Sequence, residues 1–220
     1  MTTFARYYKD KELIIIYNKD IIKLLDNPNS ENRCKISDHI YNRLYNRFLK
    51  IFDYQNSNTK KYFKNGKKIE LKEFEEEFKN GFLIMASCSL LIETLAGFLN
   101  GHDETPHRKA NKAFNQVFEF ARTKGNKLSI FDKTNFYSKV RCGLLHQGQT
   151  KEQYLITRKG KNLFKENKIN AFLFHLELKE LLNEYIIELK SKNFDSEIWK
   201  KCNDKIKCIT FEDNCAQHRL

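Results

Sequence analysis

Residues 71–100 read LKEFEEEFKNGFLIMASCSLLIETLAGFLN, the longest helical pattern in the chain. Phe74, Phe78, Phe82, Met85, Cys88, Ile92, Leu95 and Leu99 recur every three or four residues. That spacing keeps one apolar stripe on one face of a helix, so the stretch predicts the central core helix. Gly101 supplies the left-handed residue that stops it. The most apolar part, Gly81 to Ile92, is too short to span a bilayer and is soon followed by Glu93, so it reads as buried core rather than membrane.

On the N-terminal side, Lys11 to Asp26 reads as a first helix carrying the Ile14–Ile16 cluster, and Pro28 ends it. Asp38 to Asp53 reads as a second, with Ile40, Leu44, Phe48 and Ile51 on one stripe and Tyr41 and Tyr45 widening it. Arg43, Arg47 and Lys50 lie opposite, on a face that is ordinarily solvated and can also touch phosphate. Gln55 to Lys68 is polar and basic and reads as a loop.

On the C-terminal side a helix runs from about His107 to Arg122, and Lys124-Gly-Asn-Lys breaks it. Asp132 is placed to cap a helix with Phe136, Val140 and Leu144 at spacing four. Tyr154-Leu-Ile-Thr and Asn162-Leu-Phe-Lys, joined by a turn at Lys159-Gly-Lys, suggest a short β-hairpin. Asn170 caps a long helix with Leu173, Leu176, Leu181, Tyr185, Ile186 and Leu189, and Ser196 to Ile209 forms a short helix anchored by Trp199, with a frayed end from Thr210. The expected fold is therefore an all-α bundle with a hairpin insertion at about 152–167. Residues 1–35 are a helical extension, 36–192 the main domain, and 193–220 a short helix and tail.

The 220 residues suffice for a real core. Two prolines are too few for the turn chemistry of a strand-rich fold. With 40% apolar and 31% charged residues, the composition excludes a disordered tail or a membrane protein. The net charge of +12 attracts polyanions, nucleic acid first and anionic membrane second. The opening MTTFARYYKDKELIII puts charges where a secretory leader needs an apolar core, so the expectation is a cytoplasmic chain with reduced thiols. Cys202, Cys208, Cys215 and His218 do not match usual zinc-knuckle spacings and read as free thiols and a tail histidine; no metal or cofactor is expected.

One stretch stands out for chemistry: FYSKVRCGLLHQG, residues 136–148, in which four residues separate Arg141 from His146. With the long apolar helix before it and another helix after it, this motif resembles the HEPN superfamily, in which an arginine is followed four to six residues later by a histidine on a late helix. The resemblance covers roughly Asp38 to Leu189. It implies an RNA-cutting helical protein that pairs as a homodimer, both motifs facing one groove as a composite active site. It also implies a toxin or phage-defence setting, with an antitoxin or regulatory protein as a possible partner. Active members often carry a polar residue directly after the arginine, where this chain has Cys142.

The residues support that chemistry on their own terms. RNA carries its own nucleophile, the 2′-OH. Histidine titrates near neutrality and can act as base or acid. Arginine stays charged, and its fork fits phosphate oxygens. Arg141 and His146 are the expected catalytic pair, without a metal. Five positions apart on a regular helix, they point about 140° apart. Either the helix is distorted around Gly143, or the two meet across a second copy. Glu93, a carboxylate in an apolar helix, needs a partner and is expected to orient Arg141 or His146. Gln147 and Cys142 are supporting candidates, Lys139, Arg43 and Arg47 candidates for phosphate, and Tyr137 for stacking a base. The alternative to a metal-independent endoribonuclease is a non-catalytic HEPN module binding RNA, nucleotide or a protein; a third reading is a dimeric interaction subunit. Taken singly, without the resemblance, Arg141 reads as an ordinary structural salt-bridge partner and His146 as a half-buried histidine.

Overall fold

Three consecutive isoleucines are stiff at χ1 and suit a pleated strand better than a helix interior. In the computed structural model, which describes residues 2–53, 62–64, 67–70, 72–73, 80–102 and 109–216, Ile14–Ile16 lie in a strand. β1 (Thr3–Lys9) and β2 (Glu12–Tyr17) form an antiparallel hairpin. Asp10 and Lys11 turn it, with φ of 49° and 71°, the left-handed pair of a tight hairpin. The expected helix from Lys11 is thus corrected to a strand followed by α1 (Asn18–Leu25). The strand's partner lies upstream at residues 3–9, out of reach of a helix-period reading.

α2 (Ser30–Leu44) starts earlier than its apolar stripe suggests, because the Asn29 side chain caps it by accepting from the Asn32 N–H at 2.9 Å. It continues through a π turn (Tyr45–Leu49) and a 3₁₀ turn (Lys50–Phe52). The wider turn shifts the phase, so Ile40 and Leu44 are buried while Ile51 is exposed. Within the stretch expected as a loop, β3 (Tyr62–Lys64) and β4 (Lys67–Ile69) pair as an antiparallel ribbon.

α3 (Gly81–Asn100) is the central helix, capped by Asn80 and stopped by Gly101 at φ 70°. Asn80 starts it later than the periodicity predicts; Phe74 and Phe78 lie outside the described residues. Phe82, expected in the core, is exposed. Ile84, Met85, Cys88, Leu91, Ile92, Leu95 and Phe98 are fully buried. Of the helices among the described residues, α3 alone has the length and apolarity to cross a membrane, and half of that stretch is buried in this fold.

α4 (Ala110–Thr123) leads through a 3₁₀ turn (Lys127–Phe131) to the motif helix. That helix opens at Phe136, passes through a π turn (Tyr137–Arg141) and ends as α5 (Cys142–Gln147), stopped by Gly148 at φ 67°. Asp132 does not cap it; the carboxylate pairs with Arg122 at 2.7 Å instead.

The expected hairpin is a three-stranded sheet. β5 (Leu155–Thr157) pairs parallel with β7 (Lys168–Asn170), and β6 (Phe164–Lys165) pairs antiparallel with β7. The two segments expected to pair with each other are therefore separated by β7. The tight turn sits at Glu166 and Asn167, with φ of 52° and 59°, rather than at Gly160.

α6 (Ala171–Ser191) is capped as expected: Asn170 accepts from the Phe172 and Leu173 N–H groups, each at 3.1 Å. α7 (Glu197–Ala216) is longer than its sequence suggests, and Thr210 is buried rather than frayed. Trp199 anchors it, donating from the indole to the Leu189 carbonyl at 2.7 Å.

α3 packs against α4, α6 and α7, and α2 lies across α6 and β1. Phe4, Tyr7 and Ile21 from the N-terminal segment and Trp199, Cys202 and Ile206 from α7 join the same buried cluster as α3 and α6. The fold is mostly helical with small sheets at its margins, and residues 1–35 carry a hairpin ahead of their helix.

Candidate active site around Arg141

Glu93 is the single charged residue of α3. It needs a cation, and the motif helix supplies one. Arg141 donates from Nη2 to Glu93 Oε2 at 3.0 Å, with both side chains half-buried. Burial alone would lower the guanidinium's pKa; the Glu93 carboxylate overrides it and holds Arg141 above its usual value. Arg141 also lies 5.3 Å from the centre of the Tyr137 ring, a cation–π contact one turn back. Its Nε is buried without a hydrogen-bond partner among the described residues.

Tyr137 in turn packs edge-on against Phe114 at 5.3 Å. Its hydroxyl is raised above the ordinary value first by burial and then by a hydrogen bond with Cys142. Cys142 therefore supports the ring beneath Arg141. Tyr137 is half-buried in this arrangement, with Phe114 and Arg141 both against its ring.

The helix is not distorted around Gly143: Cys142–Gln147 is regular α-helix. The π turn that ends on Arg141 precedes the Arg141–His146 segment and does not turn the two side chains toward each other. Gly143 has a separate role. The chain after the helix folds back across it, so that a Cβ there would meet the Gln149 carbonyl oxygen at 2.5 Å. The return is fastened by the Lys151 N–H donating to the Lys139 carbonyl at 2.8 Å. Lys139 is engaged on the same return, paired with Glu152 at 2.9 Å and lying 5.3 Å from the Tyr154 ring centre.

His146 and Gln147 occupy the last turn and are exposed. His146 makes no hydrogen bond or ion pair among the described residues. Arg141 faces inward to α3 while His146 faces solvent, so no contact joins the two within one chain. This agrees with their spacing on an α-helix.

Comparison of the chain with protein-family models, with curated proteins and with solved structures finds no match.

Arg43 and Arg47 are not part of this cluster. They stand on α2 and its π turn beside β1, whereas the motif helix packs on α3 and α4. Arg43 donates to the Phe4 carbonyl and lies 4.8 Å from the centre of the Phe4 ring.

Sequence reasoning missed a second polar cluster. The Tyr45 hydroxyl donates to Asp53 Oδ2 at 2.7 Å, and Lys179 of α6 pairs with the same carboxylate. Burial raises the Asp53 pKa, but these two hydrogen bonds outweigh it and the net shift is downward. His175 is fully buried one turn away on α6, against Phe52, and neither ring nitrogen finds a hydrogen bond among the described residues. A polar residue between apolar neighbours in a helical stripe (Phe174, His175 and Leu178) was the available signal.

Of the remaining cysteines, Cys202 is a core thiol pushed up to about 12, chiefly by burial. Cys215 and His218 lie where no side chain is described.

Proposed function

We propose that the chain is a HEPN-like helical protein that cuts RNA without a metal, acting as a homodimer. The observation that carries this reading is a guanidinium held in place and kept charged by Glu93, on the helix that ends in an exposed, uncommitted His146. In the reaction, the 2′-OH attacks the adjacent phosphorus as an imidazole takes its proton. The P–O5′ bond breaks, and the leaving oxygen takes a proton from a second acid. Arg141, held by Glu93 through Nη2, offers its remaining guanidinium donors to the charge that builds on the non-bridging oxygens. The products are a 2′,3′-cyclic phosphate and a 5′-hydroxyl. A second copy supplies what one chain lacks: Arg141 and His146 diverge on one helix, and a two-fold groove brings one chain's histidine to the other's arginine. The exposed Leu145 beside His146, and Leu90 one turn before Glu93, are apolar surface suited to such a contact. A toxin or phage-defence role, with an antitoxin or regulator as partner, follows from the same resemblance.

A second reading, a non-catalytic HEPN module that binds RNA, nucleotide or a protein, is favoured by one specific observation. Arg141 is already engaged by Glu93, and Cys142 by Tyr137. Purified protein incubated with structured and single-stranded RNA in EDTA separates the two. Cleavage in EDTA that disappears in His146→Ala is the expected result. Binding without cleavage favours the second reading, and cleavage that survives His146→Ala refutes the assigned site.

A further inference from the structure

A recess of about 240 Å³ lies between β1 and the end of α2, lined by Arg6, Arg43, Asn46 and Arg47 with the backbone of Phe4. Three guanidinium groups surround it. No carboxylate among the described residues pairs with any of the three. Elsewhere Lys124 pairs with Glu188, Lys127 with Glu177, Lys139 with Glu152, Arg141 with Glu93 and Lys190 with Asp38; what sets this recess apart is that three arginines line one concavity.

The three arginines are not equivalent. Arg43 is half-buried and fixed, by its hydrogen bond to the Phe4 carbonyl and by the Phe4 ring under its plane. Its pKa is pushed down to about 10, first by burial and then by the like charge of Arg47 one turn further on. Arg6 and Arg47 are exposed arms on either side. A fixed fork with donors to spare, flanked by two exposed forks and paired with no acid among the described residues, is an arrangement that an anion stabilises.

We propose that this recess binds a terminal phosphate, the dianion that ends a nucleotide or a 5′-phosphorylated RNA. A phosphodiester inside a chain brings one negative charge and offsets less of the three positive ones. A dianion offers three acceptor oxygens, enough to meet a fork from each arginine. The site is distinct from the cluster around Arg141 and does not rest on the ribonuclease reading.

The test is calorimetric titration of the full-length His146→Ala chain at low ionic strength, so that RNA is not consumed. The probes are inorganic phosphate, AMP, adenosine, and one short single-stranded RNA in 5′-phosphate and 5′-hydroxyl forms. Phosphate and AMP should saturate a single site, and adenosine should not bind. The double variant Arg6→Gln/Arg47→Gln spares the Arg43 contact with Phe4. It should weaken AMP binding by about tenfold or more while melting at the same temperature without ligand. A 5′-phosphorylated RNA that binds more tightly than both AMP and its own 5′-hydroxyl form identifies an RNA end as the source; an RNA whose two forms bind alike, with AMP still saturating the site, identifies a mononucleotide. Failure of phosphate and AMP to saturate, equal binding of AMP and adenosine, or unchanged affinity in the double variant overturns the proposal.

Discussion

Arg141 owes its position to one carboxylate. With Glu93 changed to Gln, the guanidinium keeps a hydrogen-bond acceptor but loses its counter-charge while still half-buried. The pair is neither fully exposed nor fully buried, so a cost of about 1–2 kcal/mol is expected between the surface and interior extremes. A urea midpoint shift at unchanged slope measures it, and an unshifted midpoint would mean the pair contributes nothing. His175 makes a prediction of opposite character. Burial pushes its pKa down to about 4. The unfolded chain binds a proton on this imidazole near pH 6.5, and the folded chain does not until about pH 4. Stability is therefore complete above pH 6.5 and falls as the pH drops toward 4, by up to ~3 kcal/mol from this residue. His39 is lowered for the same reason, so the His175 share is the difference between the slopes of wild type and His175→Leu. Equal slopes would show that His175 does not titrate in this way.

At the scale of elements, Gly143 is the most constrained position in the motif helix. Gly143→Ala sets a methyl group against the backbone at Gln149, where no flexible side chain can yield. Overpacking of that kind costs about 1–3 kcal/mol, read as a lower melting temperature. Asn170→Ala removes the cap of α6 and the bond from Asn170 Nδ2 to the Gly160 carbonyl at 3.0 Å; a loss of about 1–2 kcal/mol is expected by the same measurement. These two positions mark what the sequence discloses and what it conceals. The Asn170 cap, the Gly101 stop and the apolar stripes of α3 and α6 are local signals, carried by residues three or four apart. The Glu93–Arg141 pair was legible as well, because a lone carboxylate in an apolar helix demands a cation. The β1–β2 hairpin and the β5–β7–β6 order were not, since a strand's partner is fixed by contacts no short window contains. The π turns at Tyr45 and Tyr137 also escaped notice, because regular periodicity assumes one turn width throughout. Arg6 was missed for the first of these reasons: only the hairpin brings it to Arg43 and Arg47.

For the molecule as a whole, a net charge of +12 and an exposed His146 frame the functional account. RNA affinity should fall steeply with salt, by about tenfold or more between 50 and 200 mM if only a few phosphates are neutralised. A salt-independent affinity, measured by filter binding, would remove electrostatic attraction from the account. The mostly-helical class followed from scarce proline and long stripes, but nothing in a single chain's sequence says whether Arg141 and His146 serve the same site. Their divergence on the motif helix makes that the central claim, and mixing two inactive proteins tests it. Arg141→Ala and His146→Ala, each inactive alone, are unfolded together, refolded and assayed for RNA cleavage in EDTA. A site shared between two copies regenerates intact sites in mixed dimers, and roughly a quarter of wild-type activity should return. A mixture as silent as its two components would contradict a site built from both chains.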